Sequence, residues 1–280
     1  MNEKIGVTFE EAARQLAGAG VESSRTEARL LYAHALGVRR DDTLSGDLKP
    51  TPEQAAAFAA LVARRIGREP FAYVTGAKEF WSLDFQVGPG VLVPRPETET
   101  LIEEALRVFP DRNTPLAIAD LGTGSGALLI AALKEFPRAA GLGLDSSAEA
   151  LGYAKRNVFA HDLSERAKLK LDDWAAAPDD SFDLVFSNPP YIPSADIESL
   201  DPEVSRFEPR AALDGGPDGL DAYRALALVL PRMLKKGGRA ILEIGAGQAV
   251  EPVFQGSGLR LAGITPDLGG IPRAVLLEKA

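Results

Sequence analysis

Residues 116–136, "LAIADLGTGSGALLIAALKEF", restrict the fold more than any other stretch. A short apolar run ends at Asp120, glycines follow at 122, 124 and 126, and apolar residues then recur at helical spacing. Strand, glycine turn and helix in that order open a βαβ unit. Beyond it the chain keeps alternating. Short apolar strands are predicted near 116–120, 141–145, 168–171, 183–187, 239–244 and 273–278, with helical segments between them. That rhythm predicts an α/β domain, a parallel sheet covered by helices on both faces.

The first 70 or so residues read differently. Three helix starts carry a hydroxyl residue with Glu or Gln three positions later, the capping-box arrangement: Thr8 with Glu11, Ser24 with Glu27, Thr51 with Gln54. The second helix is expected to end at Gly37, and the third to begin with Pro52 and end near Gly67. Then "KEFWSLDFQVGPGVLVPRP" alternates polar and apolar residues about Gly88-Pro89-Gly90, which predicts a β-hairpin with its turn there. The expected organisation is a helical domain over 1–75, a hairpin linker over 76–96 and an α/β domain over 97–280.

Glycines at a strand's C-terminal end let backbone approach a ligand at a helix N-terminus. Asp120, Gly122, Thr123, Gly124, Ser125 and Gly126 are therefore candidate cofactor residues. The string also satisfies G-x-G-x-x-G/A through Gly122, Gly124 and Ala127, so it does not separate NAD from S-adenosylmethionine. The next strand ends at Asp145, 19 residues past Gly126, where a carboxylate can accept from both ribose hydroxyls. The third strand ends in Asp172, Asp173 and Trp174. Asp173 and Trp174 are assigned to the adenine edge and face, and Asp172 to capping.

The fourth strand, "DLVFS", delivers Asn188-Pro189-Pro190-Tyr191 to the same edge. Two prolines forbid both helix and central strand beyond it. The Asn188 carbonyl and the Pro189 backbone carbonyl can together hold one planar NH2 group, and the Tyr191 ring can stack on it or exclude water. That is an arrangement for methylating a nitrogen whose lone pair is delocalised.

Composition narrows the chemistry. The chain has 280 residues and no cysteine, which removes disulfides, thiolate catalysis and Cys-bearing zinc sites. With only two histidines, His34 and His161, no metal centre is expected. A net charge of −9, with the excess acid beyond residue 78, disfavours a phosphate-dominated interface. No apolar stretch reaches membrane-spanning length, and the charged start is unlike a signal peptide, so a cytoplasmic protein is expected.

"DLGTGSG", "GLGLD", "DDW" and "NPPY", with "YVTGAKEFWSLDFQV" and "VPRPETE" upstream and "FEPRAALDGGPDGLDAYR" downstream, together resemble the PrmC/HemK family of release-factor glutamine N5-methyltransferases across nearly the whole chain. The resemblance implies a Rossmann-like class I S-adenosylmethionine-dependent methyltransferase domain behind a small helical bundle. It implies S-adenosylmethionine over Gly122 to Gly126, Asp145 at the ribose, Trp174 near the adenine and Asn188 near the methionine end. Asn188, Pro189, Pro190 and Tyr191 would hold the glutamine of the Gly-Gly-Gln loop of class 1 release factors, approached by a monomer. Rival readings are glutamine methylation of a ribosomal protein, adenine methylation of nucleic acid, and a non-enzymatic binding module. The acidity disfavours the nucleic acid, and the intact motifs disfavour the binding module. "LEIGAGQ" at 242–248 repeats a glycine signature but is read as a structural strand and turn.

Overall fold

The computed structural model describes residues 8–44, 48–174, 178–179 and 181–279. The chain forms two compact units, Met1–Ala77 with Asp201–Phe207, and Lys78–Leu200 with Glu208–Ala280.

The first unit is built on helices α1 (Phe9–Gly18), α2 (Ser24–Leu36), α3 (Pro52–Ile66) and α4 (Phe71–Thr75). Capping boxes form at Thr8/Glu11 and Thr51/Gln54. The one expected at Ser24 and Glu27 does not form. The cap residue is Ser23, without a side-chain bond, and Glu27 instead pairs with Arg65 at 2.6 Å. A partly buried carboxylate gains more from a guanidinium than from a backbone amide at an exposed helix start. Gly37 closes α2 in the left-handed conformation, φ 69°. Leu16, Leu31, Phe58 and Val62 fill the core between the helices.

The short helix Pro202–Phe207, far along the chain, belongs to this unit. Its Glu203 accepts from Arg65 (2.8 Å) and Arg68 (2.6 Å), so two arginines and two carboxylates, Glu27 and Glu203, close on one another.

The second unit opens with strands β1 (Ala77–Phe80) and β2 (Leu83–Gln86). The hairpin turns at Trp81-Ser82, not at Gly88-Pro89-Gly90. Both turn residues have positive φ, 53° and 57°, the twist that a two-residue hairpin demands and glycine usually supplies. Neighbouring carboxylates hold them there. Glu99 accepts from the Trp81 amide (2.7 Å), Glu135 from the Trp81 indole (2.7 Å) and Glu79 from the Ser82 amide (2.6 Å). Gly88 serves close packing instead, since a Cβ there would lie 2.2 Å from the Tyr153 hydroxyl.

After α5 (Glu99–Val108) come β3 (Ala117–Leu121), α6 (Ala127–Glu135), β4 (Ala140–Asp145), α7 (Ala148–Ala160), β5 (Ala167–Leu171) and β6 (Phe182–Ser187). The short helix Pro202–Phe207 is α8; α9 (Asp221–Met233), β7 (Leu234–Glu243), α10 (Glu251–Phe254), β8 (Leu259–Pro266) and β9 (Pro272–Lys279) complete the chain. The sheet order is β5-β4-β3-β6-β7-β9-β8. It is parallel from β5 to β7, while β9 runs antiparallel to both β7 and β8. β8 is additional to the six strands expected, and the antiparallel β9 departs from the all-parallel sheet expected. From β3 the chain winds to one side through β4 and β5, then returns to β6 on the other. Such a reversal opens a crevice at the C-terminal strand ends. No helix among the described residues is long and apolar enough to cross a membrane.

Candidate active site

A cavity of about 350 Å³ lies at that edge. The strand ends that border it are level: Leu121 pairs with Ser187 and Leu144, so Gly122 leaves β3 where Asn188 leaves β6. Ser187 locks the two ends together by donating its hydroxyl to the Leu121 carbonyl at 2.8 Å, out of solvent.

Gly122, Gly124 and Gly126 all have positive φ (74°, 58° and 83°), which is why the turn needs glycine. The loop's own amides are largely consumed, three of them by the end of β4. Gly122 and Thr123 donate to the Leu144 carbonyl, Gly126 to that of Thr123, and Gly124 to Asp145 Oδ2 at 2.8 Å. Asp145 Oδ1 accepts from the Ser147 amide at 2.8 Å. Each Asp145 oxygen retains a second lone pair. Ser147, and not Asp145, caps α7.

The charge of the lining separates the two cofactor readings. Asp120, Asp145, Asp172 and Asp173 all line the cavity, and among the described lining residues there is no lysine or arginine. A pyrophosphate would meet four carboxylates there. A sulfonium and an ammonium would be attracted. Asp120 is 1% exposed and its Oδ1 has no partner at hydrogen-bonding distance, while Oδ2 accepts from Thr123 at 2.6 Å. Burial, assisted by Asp145, lifts its carboxyl to about 7 against the pull of the Thr123 hydroxyl and, more weakly, of the Leu129 backbone amide. The residues therefore fit S-adenosylmethionine, whose positive charge a cavity lined by four aspartates and one unpartnered carboxylate oxygen would favour.

Of the sequence-chosen residues, Asp120, Gly122, Thr123, Gly124, Ser125, Asp145, Asp173, Trp174, Asn188 and Pro190 come together around the cavity. Gly126, Pro189 and Tyr191 are not among its lining. Gly126 lies behind the loop as the left-handed cap of α6. Tyr191 differs from expectation most. Its hydroxyl donates to Glu243 Oε1 at 3.2 Å and its ring packs on Gly245, turned toward the core. Burial and the Glu243 carboxylate push its phenol up. Asp172, read as a cap, does accept from the Asp173 amide (2.9 Å) and pairs with Lys170 (2.8 Å), yet it also lines the cavity.

Sequence reading named no role for Thr98, Glu208 or Glu243. Thr98 lines the cavity and accepts from Asn188 Nδ2 at 3.2 Å. Glu208 of "FEPR" accepts from Arg95 of "VPRP" at 2.6 Å, so two strings that only looked diagnostic meet in space. "DGGPDG" wraps the Tyr191 backbone: a Cβ on Gly219 would lie 2.4 Å from the Tyr191 carbonyl oxygen. The signal for all of these was the strings themselves, without a partner to assign.

Residues 8–76 match the family model of the PrmC N-terminal domain, and residues 101–200 that of the methyltransferase small domain. A structure of T. thermophilus 16S rRNA N2 G1207 methyltransferase aligns with a TM-score of 0.53 at 20% identity, covering 73% of this chain and 50% of that one. A methyltransferase from Pyrococcus furiosus aligns at 0.51 and 17%, covering 78% and 97%. These two show the fold. The sequence is 45% identical over 278 residues to a release factor glutamine methyltransferase of Rhodospirillum rubrum, covering 98% of this chain and 85% of that protein. One from Caulobacter vibrioides is 45% identical over 266 residues, covering 94% and 92%. With such identity over almost its full length, the chain belongs to the release factor glutamine methyltransferase family.

Proposed function

We propose that the protein methylates the side-chain amide nitrogen, N5, of the glutamine in the Gly-Gly-Gln loop of class 1 peptide-chain release factors, acting as a monomer in the cytoplasm. One observation carries the reading: a single cavity is lined by aspartates, a glycine loop and the Asn188 amide. S-adenosylmethionine, when bound, supplies a methyl group activated by a sulfonium.

The chain's own residues bind and orient. Asp145 is assigned the ribose, Asp173 and Trp174 the adenine, and Asp120 the positive charge. Asn188 Oδ1 is assigned one hydrogen of the glutamine NH2 and the Pro189 carbonyl, though Pro189 is outside the cavity lining, the other, which leaves the nitrogen's face toward the cavity. An amide nitrogen is a weak nucleophile, so alignment matters more than a base. Reacting atoms held at about 3–3.5 Å with aligned orbitals recover several kcal/mol of barrier. The helical unit is assigned recognition of the release factor's body beyond its glutamine loop.

The test is incubation with labelled S-adenosylmethionine and, separately, release factor, ribosomal protein and DNA, with the label located by mass spectrometry. Label on the release-factor glutamine supports the reading. Label on DNA alone sinks it.

A further inference from the structure

"LEIGAGQ" is outside the cavity lining, yet it grips the "NPPY" segment at two points. Gln248 Nε2 donates to the Tyr191 carbonyl (3.3 Å) and to the Gly219 carbonyl (2.7 Å), while its Oε1 accepts from the Gly245 amide (3.1 Å). Glu243, 1% exposed at the end of β7, accepts from the Tyr191 hydroxyl through Oε1 and from the Thr98 hydroxyl through Oε2 at 2.5 Å. Thr98 Oγ1 in turn accepts from Asn188 Nδ2 at 3.2 Å.

The order of donors in this chain has a consequence for chemistry. A hydroxyl has one hydrogen. An ionised Glu243 accepts and does not donate, so it claims the Thr98 hydrogen and leaves only lone pairs facing Asn188. Only the NH2 end of the Asn188 amide satisfies those lone pairs. Oδ1, the acceptor that the glutamine requires, is thereby turned to the other side. Were the amide reversed, its NH2 would face the substrate's NH2, donor against donor.

We infer that Glu243 and Thr98 are positioning residues, a buried relay that sets which end of the Asn188 amide meets the glutamine nitrogen. The inference rests on the function proposed above for Asn188. Glu243→Gln is the sharp perturbation because it keeps the shape and reverses the polarity. The new NH2 donates to Thr98, whose hydrogen is then free for Asn188 Oδ1. Thr98→Val removes the relay, and Thr98→Ser restores it.

Burial lifts the Glu243 carboxyl to about 7, opposed by the Thr98 and Tyr191 hydroxyls and by Arg273, and assisted by Glu97. A protonated Glu243 donates as well as accepts, which releases the lock. Turnover of the wild type is therefore expected to fall as pH drops through about 7, and Glu243→Gln to lose the part of that fall that Glu243 causes, while the part that Asp120 adds, its carboxyl also raised to about 7, remains.

The experiment uses the full chain with S-adenosylmethionine bound and has two independent readouts. Steady-state methylation of release factor is expected to show kcat down about tenfold or more in Glu243→Gln and Thr98→Val, with KM for S-adenosylmethionine unchanged, and Thr98→Ser within about threefold of wild type. Selective 15N-asparagine labelling reports Asn188 directly, since the chain has only four asparagines, Asn2, Asn113, Asn157 and Asn188. Its side-chain NH2 is expected to exchange slowly in the wild type and in Thr98→Ser, and quickly in the other two variants. Unchanged kcat or unchanged exchange in both Glu243→Gln and Thr98→Val overturns the relay. A wild type that methylates no glutamine while the exchange pattern holds overturns the proposed function and leaves the relay standing.

Discussion

Asp120→Asn is expected to stabilise the ligand-free protein at pH 8 but to leave it about as stable as wild type at pH 5, while weakening its hold on S-adenosylmethionine. The carboxyl is raised from 3.8 to about 7 by burial and by Asp145. That difference of about 3 pK units corresponds to about 4 kcal/mol. The folded value lies above the unfolded one, so the favourable contribution is the protonated form's. It is complete below about 3.8, fades as pH rises, and is lost above about 7. At pH 8 the wild type therefore carries the whole cost of about 4 kcal/mol, and at pH 5 only about 2 kcal/mol. Asparagine carries neither, though the NH2 replacing Oδ1 needs a partner of its own and takes back about 1–3 kcal/mol at both pH values. The decisive quantity is the difference between the two conditions, about 2 kcal/mol. Urea unfolding of both proteins at pH 5 and pH 8 measures it, and calorimetry with S-adenosylmethionine measures the loss of affinity. An equal stability change at the two pH values would refute the account of Asp120 as an ionisable group held in place for a cationic ligand.

Asp145→Ala is expected to weaken S-adenosylmethionine binding by about 1–3 kcal/mol, since it removes the acceptor proposed for the ribose and frees the Gly124 amide; calorimetry checks this, with NAD as a ligand expected not to bind. Asn188→Ala is expected to lower turnover far more than cofactor affinity, read from kcat beside an equilibrium titration. Tyr191→Phe is expected to cost about 1–2 kcal/mol in thermal unfolding, because it leaves Glu243 Oε1 without its hydroxyl donor; wild-type stability would return the work to the ring alone. Deleting residues 1–75, with 201–207 replaced by a short linker so that Glu203 is not stranded, is expected to reduce methylation of intact release factor much more than that of a Gly-Gly-Gln peptide. Equal losses on both substrates would remove the helical unit from recognition.

What the sequence made legible was local. The glycine loop, the cap at Thr8 and the buried strands each carry their cause within a few residues. Strand β8 was invisible for a physical reason. As an edge strand it buries no residue fully, and it contains Gly263 and ends at Pro266, two residues that read as loop. The hairpin was placed correctly in kind but its turn was shifted, because glycine is the usual sign of positive φ and here carboxylates from Glu99, Glu135 and Glu79 hold Trp81 and Ser82 in that conformation. The Glu27 cap failed because its partner, Arg65, lies 38 positions away. Glu243 and Thr98 are 145 positions apart, and no pattern in either neighbourhood names the other.

The excursion of α8 into the helical unit also sets an order of events during synthesis. Arg68 and Glu203 are 135 residues apart, so the first unit to leave the ribosome lacks one of its own helices until β3, β4, β5 and β6 have also been made. Until then Arg65, nearly buried in the finished protein, has Glu27 but not Glu203 to share its charge. Closing a loop of that length is slow relative to the helical contacts made within residues 8–75. The nascent bundle therefore emerges with Arg65 and Arg68 short of the carboxylate that they share in the finished protein. Its completion reports that most of the catalytic unit has already been translated.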